Sequence, residues 1–139
     1  MDTSETYIKL CEKAEEIQKL HKDWVVGDIY FIHYCPTGWI AYASIGCSGE
    51  DCGSLQDMSK DGLIRLDGET WLPRQDQLQE MVLNPPNTLC SDIPTMVRLF
   101  GVFLAVHPQF NSMEQLWLAF VMKEKYNKTW DGESWVCRE

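Results

Sequence analysis

The chain has 139 residues, is 45% hydrophobic and 24% charged, and carries a formal net charge of -9. That length fits one domain with its own hydrophobic core, and six Trp, five Tyr and five Phe argue against a disordered chain. The acid excess disfavours direct contact with nucleic acid, because phosphate binding takes clustered Lys and Arg.

The spacing of Tyr7, Leu10, Cys11, Ala14, Ile17 and Leu20 predicts one amphipathic helix from Thr3 to His21, capped by Thr3 or Ser4. A strand follows at 29–35. Ile29, Phe31, His33 and Cys35 alternate with Tyr30, Ile32 and Tyr34, so both faces carry apolar bulk and the strand reads as central. Cys35-Pro36-Thr37-Gly38 suits a turn with Gly38 in the left-handed region, and Trp39 to Ile45 returns antiparallel. Residues 46–60 form a polar loop. Leu63–Leu66 and Glu69–Leu72 read as a hairpin about Asp67-Gly68, with Ile64 opposite Trp71.

Pro73 stops the strand and opens a short helix, Arg74 to Val82, with Leu78, Met81 and Val82 facing inward. The Asn84-Pro85-Pro86-Asn87 run is a break. Ser91 starts the next helix, Asp92 to Val106, which is apolar nearly all round and therefore reads as the buried core helix. The helix Ser112 to Tyr126 has a reciprocal capping pattern in Ser112 and Gln115 and a buried stripe of Met113, Leu116, Trp117, Phe120 and Val121. Asn127 is its left-handed stop. WDGESW at 130–135 echoes LDGETW at 66–71, and both predict tight Asp-Gly turns with Gly68 and Gly132 at positive φ. The expected fold is α+β: one domain over 1–139, with an antiparallel sheet of about four strands covered by helices.

No apolar run approaches the ~18–20 residues that span a bilayer, and MDTSETYIKL lacks the basic start and apolar run of a signal peptide. The expectation is a cytoplasmic protein without membrane contact, whose six cysteines are reduced thiols.

Three constellations bear on chemistry. Asp57-Met58-Ser59-Lys60-Asp61-Gly62-Leu63-Ile64 follows the calcium-loop pattern, then fails where Gly68 replaces the bidentate carboxylate, with Glu69 one place late. His33 and Cys35 share a strand face and, with Cys47 and Cys52, give conceivable zinc ligands, but without the usual close cysteine spacing. The same His33/Cys35 pair is a conceivable base and nucleophile of a small enzyme, but no orienting group or oxyanion site can be named. A metal, a cofactor and an enzymatic activity are therefore not expected.

A contact surface is better supported. Trp71 with Arg74, Gln75 and Gln77 combines an aromatic ring, a guanidinium and amides, and Trp130 with Trp135 is a second aromatic pair near a turn. Residues 28–92 hold most of the acid excess, with Lys60, Arg65 and Arg74 their only Lys or Arg. That segment is a solvated face, or the charged surface of a nucleic-acid mimic that inhibits a host protein.

WLPRQDQLQEMV (71–82) and SMEQLWLAFVMKEKYNKTWDGESWV (112–136) resemble two blocks of small proteins encoded in bacteriophages and prophages, and TYIKLCEKAEEIQ is similar to their first helix. The resemblance implies a bacterial cytoplasmic setting and a phage-linked gene. It implies no activity and brings no functional residues. The expected function is thus an accessory protein that acts through contact with a host or phage protein.

Overall fold

The computed structural model describes residues 1–21, 25, 27–33, 38–42, 69–83 and 92–138. The calcium-like loop at 57–68, Cys35, Cys47, Cys52, the Leu63–Leu66 arm with Ile64, Gly68, the break at 84–87 and Ser91 lie outside the described residues.

Ser4 opens the first helix by accepting the Tyr7 N–H at 3.2 Å, which satisfies one of the donors left bare at a helix start. Helix α1 (Glu5–Lys13) then ends at Ala14, whose φ of -86° and ψ of 64° leave the helical region, and the chain restarts as α2 (Glu15–Leu20). The single helix expected from Thr3 to His21 is therefore two. Propensity does not set this break, since Ala is the best helix former. The hydrogen bonding compensates for it. The Cys11 carbonyl, freed at the end of α1, accepts from Ala14 N–H and from Gln18 Nε2, each at 3.1 Å. Gln18 also grips the backbone of Trp71, its Nε2 donating to the carbonyl and its Oε1 accepting the N–H, both at 2.9 Å. Tyr7, Leu10, Cys11, Ala14 and Ile17 are fully buried as their spacing predicts, whereas Leu20 is exposed. Burial pushes the Cys11 thiol well up, which keeps it protonated and unreactive.

Strand β1 (Ile29–Ile32) lies between β2 (Trp39–Tyr42) and β3 (Glu69–Trp71), antiparallel to both. Its central place explains why it is apolar on both faces. Gly38 has a φ of +60°, and a Cβ there would sit 2.1 Å from the Phe31 ring, so glycine is required by conformation and by space. After β3, the Arg74 N–H donates to Gln77 Oε1 at 2.9 Å and the Arg74 carbonyl accepts the Leu78 N–H at 3.0 Å, starting α3 (Gln75–Leu83). Asp92 caps α4 (Ile93–Val106) by accepting the Thr95 N–H at 2.7 Å. Ser112 caps α5 (Met113–Tyr126), accepting the Gln115 N–H at 3.1 Å. In return Gln115 Oε1 accepts the Asn111 N–H rather than that of Ser112. Asn127 stops the helix at φ 53° and ψ 39°, in the left-handed region. A separate hairpin, β4 (Lys128–Trp130) with β5 (Trp135–Cys137), completes the described chain.

The fold is α+β, and among the described residues the strands form a three-stranded sheet and a two-stranded hairpin rather than one sheet of about four, with the expected Leu63–Leu66 strand outside them. A larger difference concerns the helices. The all-round buried helix is α5, not α4. Helix α5 packs against α1, α3, α4 and β4, and every residue from Gln115 to Met122 is buried. Met113, expected in the buried stripe, is exposed. Helix α4 buries only Met96, Phe100 and Phe103, with Phe100 against Trp117 and Phe120 of α5 and Phe103 against Phe120. Apolarity alone could not distinguish these cases, because it does not say whether a neighbour exists on each side.

Asp2 and Glu16 tie the first helices to the C-terminal third of the chain. Burial would raise the Asp2 carboxyl, but bonds from Ser112 Oγ, the Ser4 N–H and Gln115 Nε2 together hold it below the usual carboxylate range. Glu16 is likewise raised by burial but brought down by its bond from Lys128. A carboxylate lowered in the folded state stabilises fully above its unfolded pKa and loses that contribution as pH falls through the folded pKa. Stability is therefore expected to be level near neutral pH and to fall below about pH 4, the ordinary carboxylate range. In denaturant melts across pH, Asp2→Asn combined with Glu16→Gln should flatten that acid limb. An unchanged slope would show that these two groups do not carry it.

Candidate binding surfaces

The expected contact residues fall in two separate places. Trp71, Arg74 and Gln77 line a cleft of about 490 Å³, together with Leu20, His21, Val25, Asp76, Glu80, Met81 and Lys125. Gln75 is half-buried at the start of α3 and does not line it. Trp71 is only 5% exposed, so the flat patch with an exposed indole is not formed. Trp130 and Trp135 pair across the C-terminal hairpin, ring centroids 5.1 Å apart and tilted edge to face. Both line a cavity of about 20 Å³ shared with Phe103, His107 and Phe110, which has room for little more than one water. Trp135 is 7% exposed, and its Nε1 donates to the Leu10 carbonyl of α1 at 3.0 Å, while β4 packs on α5. The hairpin loop has four residues, Asp131 to Ser134, instead of a two-residue turn. Asp131 keeps a negative φ and accepts the N–H groups of Glu133 and Ser134 at 2.8 Å each, while Gly132 has φ +112° as expected.

The cleft is built over Asp28, a fully buried carboxylate directly before β1. Its Oδ1 accepts from Gln77 Nε2 at 2.7 Å and lies 3.9 Å from Arg74 Nη1. Its Oδ2 accepts the Val25 N–H at 2.8 Å and lies 2.8 Å from His21 Nε2. The same His21 nitrogen is 2.8 Å from the Tyr30 hydroxyl, and the His21 ring stacks on Trp71 at 3.9 Å. Arg74 is also committed elsewhere: Nη1 donates to the Gly27 carbonyl at 2.7 Å, and the guanidinium holds Asp76 through Nε and Nη2 at 3.1 Å each. This pairing raises Arg74 and lowers Asp76. The polar groups that looked like a recognition surface thus satisfy one another. They join the end of α2, the start of β1 and the start of α3. The Trp71 indole Nε1 is buried without a partner.

Sequence reasoning found Trp71, Arg74 and Gln77 but missed His21, Asp28 and Tyr30. One signal was available: an Asp directly before an apolar central strand is placed where it must be buried, and a buried carboxylate needs partners.

His33 is exposed, and its Nε2 contacts Glu12 Oε1 at 2.6 Å and Thr70 Oγ1 at 3.4 Å. Among the described residues no group of three or more His, Cys, Asp or Glu is placed to hold a metal ion. Of the acids of 28–92, Asp28 is buried, Asp76 is paired with Arg74, Asp92 caps α4 and Glu80 is exposed, while Glu50, Asp51, Asp57, Asp61 and Asp67 lie outside the described residues. No described helix is long and apolar enough to cross a membrane.

The surface that stands out is on α4. Ile93, Val97, Val102 and Val106 are 62%, 56%, 65% and 63% exposed. Leu104 is exposed as well. On a helical projection Ile93, Val97 and Leu104 fall within one narrow stripe, with Gly101 and Ala105 beside it and Val102 and Val106 beyond Arg98. Arg98 is the helix's one charged residue. Scattered apolar residues are normal on a surface, whereas a contiguous apolar patch marks an interaction site. No family model, curated protein or solved structure matches the chain.

Proposed function

We propose that this protein is a binding or accessory protein that acts by contact with another protein through the outer face of α4. The observation that carries this reading is the exposure of Ile93, Val97, Val102 and Val106 on a helix whose other side is well packed. Keeping such a face in water forgoes roughly 1.5–3 kcal/mol per large apolar side chain that burial would return. The cleft over Asp28 supports the reading indirectly, because the polar groups of the Asp28 cluster are already committed to holding the fold. The two blocks that resemble phage and prophage proteins support a phage-linked, cytoplasmic setting. They form the frame, β3 into α3 and α5 into the hairpin, and α4 lies between them.

The test uses tagged full-length protein in a bacterial extract, alongside Val97→Glu with Leu104→Glu. Both positions are exposed and glutamate is a good helix former, so the helix is expected to persist. A stoichiometric partner, or a second copy of the tagged chain, should be captured by the wild type. It should be lost from the double variant and retained by Arg74→Ala. Capture that survives the glutamates and disappears with Arg74→Ala would move the contact to the cleft.

A further inference from the structure

We propose that the cleft over Asp28 binds a short peptide with free termini, its ammonium group toward Glu80 of α3, its carboxylate toward Lys125 of α5 and its apolar side chains against Leu20, Val25 and Met81. This site is separate from α4 and does not depend on the reading of that helix as a contact surface.

The cleft has a suitable size and a fixed floor. Its volume of about 490 Å³ lies within the range of about 300–1,000 Å³ for sites that enclose small ligands. Beneath it, the fully buried Asp28 is joined to His21, to Gln77 and, at longer range, to Arg74. Walls held by satisfied buried bonds keep their shape when the site is empty, which lowers the ordering cost of binding. The bonds that withdraw Arg74 and Gln77 from recognition thus preorganise the space above them.

The charges that line the cleft divide into two sets. His21 and Arg74 are engaged with Asp28, and Arg74 with Asp76. Glu80 and Lys125 remain. Glu80 is exposed and has no hydrogen-bond or ion-pair partner among the described residues. Lys125 Nζ lies over the ring of its neighbour Tyr126 at 6.0 Å and has no carboxylate partner among them. One cation and one anion in a single cleft match a ligand that carries one charge of each sign. A ligand of one sign would satisfy one of the two and be repelled by the other. A free amino acid carries both charges on the same carbon. Glu80 and Lys125 stand on different helices and do not pair with each other, so the ligand needs at least one peptide bond between its charges.

The apolar part of the lining sets the side chains. Leu20 and Val25 are 51% and 59% exposed, and Met81 is half-buried. Leu20 continues the apolar stripe of α1 and α2 but is the member left uncovered. Beside a floor of committed polar groups, these three give a ligand's side chains apolar surface to bury. Trp71, in the wall, is 5% exposed, and its indole N–H has no acceptor, so its resonance reports on a change at the cleft.

The experiment titrates the full chain with the dipeptide leucyl-phenylalanine, read by calorimetry and by the assigned Trp71 indole N–H signal in an NMR spectrum. Saturable binding that moves this signal is expected. The N-acetyl and C-amide forms of the dipeptide should each bind roughly threefold to tenfold more weakly, the worth of a partly exposed charged contact. Glu80→Gln should erase the penalty of acetylation and keep that of amidation, and Lys125→Met should do the reverse. Neither substitution touches the Asp28 cluster, so the circular dichroism spectra should be unchanged. No saturable binding at millimolar dipeptide would overturn the proposal. So would binding indifferent to both blocking groups, binding that leaves the Trp71 signal in place, or free leucine or phenylalanine binding as tightly as the dipeptide. Penalties that persist unchanged in both variants would put the ligand's charges elsewhere and overturn it too.

Discussion

Phe120→Ala is expected to destabilise the fold by about 3–5 kcal/mol, the range for truncating a large aromatic residue in a packed core. Phe120 is fully buried. Its ring meets Phe100, Phe103 and Trp117 edge to face at 5.5, 5.4 and 5.7 Å between centroids. Phe100 is also stacked on Trp117 at 3.8 Å, so the four rings form one body joining α4 to α5. Removing the central ring deletes contacts on three sides and leaves a space that rigid aromatic neighbours cannot close. The check is a denaturant melt with an unchanged slope against denaturant concentration. A loss under about 1 kcal/mol would mean that the wrong face of α5 has been read as core.

Asp28→Ala should cost a comparable amount, about 3–5 kcal/mol, for a different reason. The carboxylate is fully buried and is met by His21, Gln77, the Val25 N–H and, at longer range, Arg74. Alanine removes few contacts by area but leaves these donors without the buried acceptor that joins them. Asp28→Asn keeps the shape and one acceptor oxygen, so it should fall between the two. If Asn and Ala were equally mild, the cluster would be solvated rather than a lock, and its polar groups would return as candidate recognition groups.

Local chemistry was legible in the sequence. The caps at Ser4 and Ser112 and the stop at Asn127 depend on side chains within a few residues, and the structure places them as the sequence predicts, whereas α4 is capped by Asp92 rather than started by Ser91. Gly38 and the central position of β1 were legible for the same reason. What depended on distant neighbours was not. The break at Ala14 is compensated by Gln18, which reaches Trp71 53 positions away. The exchange of roles between α4 and α5 follows from which helix the others surround. The Asp28 cluster draws on four segments with no common motif. Burial is a property of the assembled chain, and a sequence window of a dozen residues does not contain it.

The C-terminal hairpin has a consequence for how the protein is made. Trp135 closes over the Leu10 carbonyl across 125 positions, and Asp2 is held by Ser112 and Gln115. A ribosome adding about 5–20 residues per second would leave the first helix without this support for roughly 6–25 s. During that interval its apolar stripe, Tyr7, Leu10, Cys11 and Ile17, has no C-terminal partner to cover it. Stops that remove only the hairpin are expected to yield insoluble fragments, and fragments as soluble as the full chain would show that α1 does not need Trp135.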